Sequence, residues 1–185
     1  MRTGGARRIV VTGGPGAGKS TLIARLAALG LRTAEEAGRR VIREELASGG
    51  GALPWGDRLA FARRMLTLDI AAYEAAGLAG GLTIFDRGAP DVLGYLRLCA
   101  LVPAPDLTVA AEQRRYDDPV FLAPFWPEIF ENDAERKQTP DEARRTADMM
   151  AEVYSSLGHR VVELPRAPIN ERVAFVLERC GFAAP

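Results

Sequence analysis

Eight consecutive residues, Gly13-Gly14-Pro15-Gly16-Ala17-Gly18-Lys19-Ser20, fit the pattern GxxxxGK[ST]. Residues of these types at this spacing suit the capture of a polyphosphate. Glycines at 13, 16 and 18 let backbone N–H groups converge on the β- and γ-phosphates, where a Cβ would crowd the anion. Lys19 is a compact cation able to reach bridging oxygens, and Ser20 offers a hydroxyl to Mg²⁺. A helix starting at Lys19, with Ser20 and Thr21 in its first turn, adds its partial positive end. The lysine is itself informative. Of 24 basic residues only Lys19 and Lys137 are lysine, so its retention here fits a point charge rather than a planar fork.

A second chemical element is Asp86-Arg87-Gly88, after the apolar run Leu82 to Phe85. An acid ending a strand beside the phosphate loop can hold the hydration shell of Mg²⁺ opposite Ser20, or can simply cap the next helix. Motor ATPases usually place another acid directly after it to activate water, and here that position is Arg87. GTPases would offer DxxG and NKxD; position 89 is alanine, and neither Asn132 nor Asn170 precedes a lysine. The order Asp-Arg resembles the [DE]-R element of deoxynucleoside and thymidylate kinases. That resemblance implies an arginine, Arg87, that touches phosphoryl or acceptor groups.

The likeness extends along the chain. VVTGGPGAGKSTL, EEAGRRVIREE, IFDRGAPDVLGYL, VFLAPFWPEIFENDAERKQ and VVELPRAPINERVAFVL together resemble AAA domain family 28, small bacterial P-loop proteins described as predicted ATPases. The characterised relatives of that family look like nicotinamide riboside and nucleoside kinases. The resemblance implies ATP and Mg²⁺ as cofactors. It also implies a carboxylate at Glu36 that accepts or orients a substrate hydroxyl; a first-turn glutamate favoured by the helix dipole is the plainer alternative. Relatives commonly show proline where this chain has Glu35. Residues 125–140 fall where such kinases carry a lid, and Asp133-x-x-Arg136 resembles the lid arginine pattern that closes over the transferring phosphoryl group. Phe125 and Trp126 could stack on a ring or pack the lid against the core. Arg166, after the last strand, falls where many related folds hold adenine. His159, the sole histidine, has no partner nearby in sequence and reads as structural.

These residues need elements to position them. Arg8 to Thr12, Leu31 to Ala34, Leu82 to Phe85, Pro119 to Ala123 and Arg160 to Leu164 read as five strands, mostly apolar throughout. Helical patterns follow at Lys19 to Leu29, about Glu36 to Leu46, through Leu59 to Tyr73, from the capping box Thr139-Pro140-Asp141-Glu142 to before Gly158, and at Asn170 to Cys180. Buried strands alternating with helices predict an α/β, doubly wound, five-stranded parallel sheet with helices on both faces: a P-loop NTPase of nucleoside-kinase type, with its chemistry at the carboxyl ends of the strands.

Composition sets the bounds. The chain has 185 residues, 48% hydrophobic and 26% charged, which suits one domain over 1–185. Twenty-four basic residues balance 24 acidic ones, giving no sign of a nucleic-acid or membrane partner. Two cysteines, Cys99 and Cys180, form neither a CxxC pair nor a disulfide framework. No apolar run approaches a membrane span of about 20 residues. A cytoplasmic enzyme is expected, a kinase acting on a small hydroxyl-bearing acceptor, with a stand-alone ATPase or nucleotide-dependent regulator as the alternative.

Overall fold

Five short strands line up in parallel in the order β2-β3-β1-β4-β5. The computed structural model describes residues 5–130 and 138–182. Strand β1 is Arg7–Gly13, β2 Arg32–Ala34, β3 Leu82–Asp86, β4 Val120–Ala123 and β5 Val161–Glu163. The helices are α1 (Lys19–Ala28), α2 (Ala37–Ser48), α3 (Arg58–Ala79), α4 (Ala89–Leu98), α5 (Pro105–Glu112), α6 (Pro140–Ser156) and α7 (Ile169–Arg179).

The apolar run of β1 explains the layering. Alternate side chains of a strand point to opposite faces. Ile9 and Val11 bury against α1 and α7, together with Leu22, Leu26, Val173 and Val176. Val10 buries on the other face beside Ala76 of α3 and Tyr154 of α6. With both faces covered, no polar alternation is needed, and the strand reads as a continuous hydrophobic stretch.

The expected sheet and its helices are present, with two additions. Helices α4 and α5 fill the segment between β3 and β4. The prolines at 90, 103 and 105 and Gly94 obscure them in the sequence. Pro90 and Pro105 stand in the first turns of α4 and α5, where a missing N–H costs nothing. Gly94 is set by packing: a Cβ there would lie 2.7 Å from the Met150 sulfur of α6. Strand β3 also runs one residue further than its apolar pattern, to Asp86, which pairs in register with Val11. No helix among the described residues is long and apolar enough to cross a membrane.

Candidate active site

The carboxyl ends of β1 and β3 lie side by side, and the chain's chemistry gathers there. Gly13 at the end of β1 and Gly16 and Gly18 beyond it all take positive φ, at 127°, 67° and 72°. That geometry curls the backbone and leads into α1, whose first N–H groups have no partner within the helix. At Gly13 a Cβ would fall on the Ala123 carbonyl of β4; at Gly18 it would lie 2.6 Å from an Arg172 nitrogen. Lys19 is 5% exposed, and its Nζ donates to the Gly14 carbonyl at 2.5 Å. Ser20 and Thr21 are exposed at the helix start. An anion-shaped turn, a held cation and an open hydroxyl fit a Mg-bound polyphosphate. Among the described residues no group of three or more histidines, cysteines or carboxylates could hold a metal alone. A divalent ion here would therefore need ligands from the nucleotide as well as Ser20 and Asp86.

Asp86 ends β3 and is buried. It is not the cap of α4. The cap is Gly88, whose N–H donates to Asp91 at 3.0 Å. Arg87 is not a surface cation either. It takes a left-handed φ of 68°, a strained conformation for a long side chain. Its Nε donates to Glu36 Oε1 at 3.2 Å, Nη1 to Asp91 Oδ1 at 2.9 Å and Nη2 to the Gly13 carbonyl at 2.8 Å. Burial works against the charge, but the Glu36, Asp91 and Asp86 carboxylates outweigh it and hold the guanidinium pKa above its usual range. One side chain thus ties the phosphate loop, the start of α2 and α4 together.

Glu36 is 3% exposed and stands at the N-cap of α2, where its side chain makes no capping bond. Its second oxygen accepts from Arg39 Nε at 3.2 Å. Arg39 therefore faces the site, while Arg40 pairs outward with Glu44. Beside Pro15, Glu36 and Arg87 opens a cavity of about 430 Å³. Phe61 and Met65 of α3 and Tyr95 of α4 line it, with Trp55 at the rim. The Phe61 and Tyr95 rings meet edge-on at 5.4 Å. The loop that carries Trp55 is pinned from within: Glu45 accepts from Ala52 N at 2.8 Å and pairs with Arg64.

Three polar residues of the site are missed by pattern reading. Asp91 accepts from Thr12 Oγ1 at 2.5 Å and Tyr154 OH at 2.7 Å as well as from Arg87 and Gly88. Removing it would strand four donors, one of them a buried guanidinium. Asp91→Ala should therefore cost roughly 3–5 kcal/mol of stability, read as a lower melting temperature. Asp69 lies on the cavity wall; its legible signal is an acid on the stripe of Phe61, Met65 and Tyr73. Arg172 of α7 is 3% exposed, donates to the Ala17 carbonyl at 3.0 Å and stands 6.0 Å from the Trp126 ring. Arg172 thus reaches the phosphate loop, while Arg166, expected near adenine, is half-exposed and sits 3.9 Å from Glu163. Phe125 packs inward against Phe130 and Arg144. His159 is buried against Tyr154 and Asp118, and burial lowers its pKa, as a structural role requires. Arg136, with Asp133 of the same pattern, lies outside the described residues.

The family model of AAA domain family 28, described as an AAA domain, matches residues 8–172. Among solved structures, a NadR protein in complex with NR superimposes with a TM-score of 0.71 at 21% identity, covering 97% of this chain and 53% of that one. The chain thus spans about half the length of that relative. Deoxyadenosine kinase from M. mycoides, with products dCMP and dCDP bound, gives 0.68 at 15% identity, covering 94% of this chain and 98% of that one. Thymidylate kinase from Ehrlichia chaffeensis gives 0.65 at 16%, covering 96% and 100%. No curated protein matches. These likenesses show the fold, a kinase-like P-loop α/β sheet.

Proposed function

The chain belongs to AAA domain family 28, and from that premise we propose that it is an ATP- and Mg²⁺-dependent kinase for a small, nucleoside-like hydroxyl compound. The observation that carries this reading is the cavity of about 430 Å³ abutting both Pro15 and Glu36. A hydrolase needs room for one water beside the γ-phosphate. Here a walled, partly aromatic pocket leads to a buried carboxylate next to the phosphate loop, which is the place for an organic acceptor.

ATP bound with Mg²⁺ would supply the transferable phosphoryl group and neutralise part of its charge. The chain's own residues would do the positioning. The loop 13–18 and the start of α1 would hold phosphate oxygens, and Lys19 would neutralise them. Ser20 and Asp86 would hold the metal. Glu36 would take or orient the acceptor hydroxyl, held in place by Arg87 and Arg39. Arg87 acts on Glu36 in this scheme through its Nε, while one N–H of each Nη is engaged by Asp91 and Gly13 and the two others remain for a phosphoryl or acceptor oxygen. Arg136 would stabilise the transferring group from the lid, and Trp126 with Arg172 supports a place for the donor base better than Arg166 does.

Turnover of Mg-ATP against nucleosides, other ribosides and aminoglycosides, with a water-only control, tests the proposal. Transfer to one acceptor class far above the water rate is expected; hydrolysis indifferent to every acceptor would instead favour the ATPase reading. A narrower test concerns the metal. Asp86→Asn should raise the Mg²⁺ needed for half-maximal rate and lower kcat, with little change in metal-free nucleotide binding. An unaltered Mg²⁺ dependence would remove Asp86 from the metal site.

A further inference from the structure

Asp69 is 5% exposed and lines the cavity, yet its carboxyl makes no hydrogen bond or ion pair among the described residues. Such a group faces the cavity, and a ligand that displaces water from it must replace the hydrogen bonds that water makes. The two buried carboxylates whose charge reaches it are engaged. Glu36 has Arg87 and Arg39; Asp91 has Arg87, Thr12, Tyr154 and Gly88. Glu36, Asp91 and Asp86 already set three carboxylates against the guanidiniums of Arg87 and Arg39, and Asp69 adds a fourth. It lies one turn beyond Met65 and two beyond Phe61 on α3, so the apolar wall leads directly to it.

Charge decides its form. Burial, then the Asp91 and Glu36 carboxylates, push the Asp69 pKa well above the ordinary range, and Arg87 offsets them only in part. The buried hydroxyls of Tyr116 and Tyr154 feel the same field, each driven upward with Asp69 among the causes. A neutral carboxylic acid carries an O–H donor and a C=O acceptor side by side. That pair is complementary to the donor–acceptor edge of an amide or amidine.

We propose that Asp69 is the specificity-determining group of the acceptor pocket, hydrogen-bonding through both oxygens to the amide- or amidine-type edge of an uncharged planar heterocycle. The ring would lie along Phe61, Met65 and Tyr95, and its sugar hydroxyl would point to Glu36. This deepens the kinase reading and rests on it for the hydroxyl, but the edge contact is a binding property and can be measured without turnover.

The experiment is equilibrium binding to the full chain with ADP present. The probes are uridine, cytidine and inosine, which carry such an edge, phenyl riboside, which lacks it, and 1-methyladenosine, which is cationic. Wild type should favour the three edge-bearing ribosides over phenyl riboside by about tenfold or more, since a site built for hydrogen bonds rejects an analogue lacking them. Asp69→Asn keeps a donor and an acceptor and should retain the preference; Asp69→Leu should abolish it. The preference should also fall as pH rises through the Asp69 pKa, because ionisation removes the donor.

A second readout needs no ligand. The fold accepts Asp69 neutral while the unfolded chain ionises it, so above the ordinary carboxylate range Asp69 works against stability. Asp69→Leu should therefore melt higher than wild type at neutral pH, the reverse of the usual effect of a substitution in a core. The proposal is overturned if wild type shows no edge preference, if none of the three edge-bearing ribosides binds, or if 1-methyladenosine binds best and Asp69→Asn loses it. The last result would mean an ionised Asp69 holding a cation. If the edge preference holds while no acceptor is phosphorylated, the kinase reading fails and this one stands.

Discussion

Lys19→Ala should abolish nucleotide turnover, with a fall of at least about 10²–10³-fold in kcat, while the chain remains folded. The size follows from removing a preorganised charge from the place where negative charge is handled. The structure sharpens the expectation for arginine. Lys19 is almost wholly buried, and its ammonium is seated on the Gly14 carbonyl at 2.5 Å. A guanidinium is larger and planar, so Lys19→Arg should fail nearly as badly, by displacing the loop or the phosphates. Steady-state kinetics beside thermal unfolding separates the two causes of loss. Near-normal turnover in the arginine variant, with an unchanged melt, would remove this loop from the chemistry.

Glu36→Gln is expected to depress transfer to the preferred acceptor by about 10²–10⁴-fold, the range typical of a positioned proton acceptor. ATP affinity should hardly change, because Arg87, which joins Glu36 to the Gly13 carbonyl, stays in place. Glutamine keeps one acceptor oxygen for Arg87 while its amide nitrogen turns to Arg39, so the link to Arg87 survives, the Arg39 contact is lost and the fold should hold. The signature is therefore a kcat loss at constant nucleotide binding, read from single-turnover rates and nucleotide titration. If the variant instead binds ATP weakly and melts early, Glu36 is a structural member of the clamp.

The phosphate loop and its flanks were legible in the chain because their chemistry is local. Glycine spacing, one lysine and one hydroxyl within eight residues leave few alternatives, and continuous apolar strands announce a sheet covered on both faces. Asp86 and Glu36 were legible as candidates because each ends a strand or opens a helix beside that loop. What stayed hidden is non-local. Asp91 shows its importance only when Thr12, Arg87 and Tyr154 converge on it from three elements, the tyrosine 63 residues away. Arg172 reaches the loop across 155 residues of sequence, and no periodicity marks it apart from its apolar neighbours on α7. Arg166 was legible as a candidate because it follows the last strand; it is half-exposed beside Glu163. Helix α4 was obscured by Pro90 and Gly94, each of which has a place in a helix only once its neighbours are known. Asp69 was readable in principle, as an acid on an apolar stripe, yet its isolation depends on how the arginines around it are already engaged.

The most direct test of the central claim is the fate of the γ-phosphoryl group in water enriched in ¹⁸O. Wild-type protein, Mg-ATP and the best acceptor of the panel are mixed, and the products are resolved by mass. Transfer to an acceptor hydroxyl predicts a phosphorylated acceptor whose phosphoryl oxygens carry no label, with labelled inorganic phosphate as a minor product. Glu36→Gln should shift the products toward labelled phosphate. If all the γ-phosphate instead appears as inorganic phosphate bearing one ¹⁸O, at the same rate with and without acceptor, the protein is a hydrolase and the account is wrong.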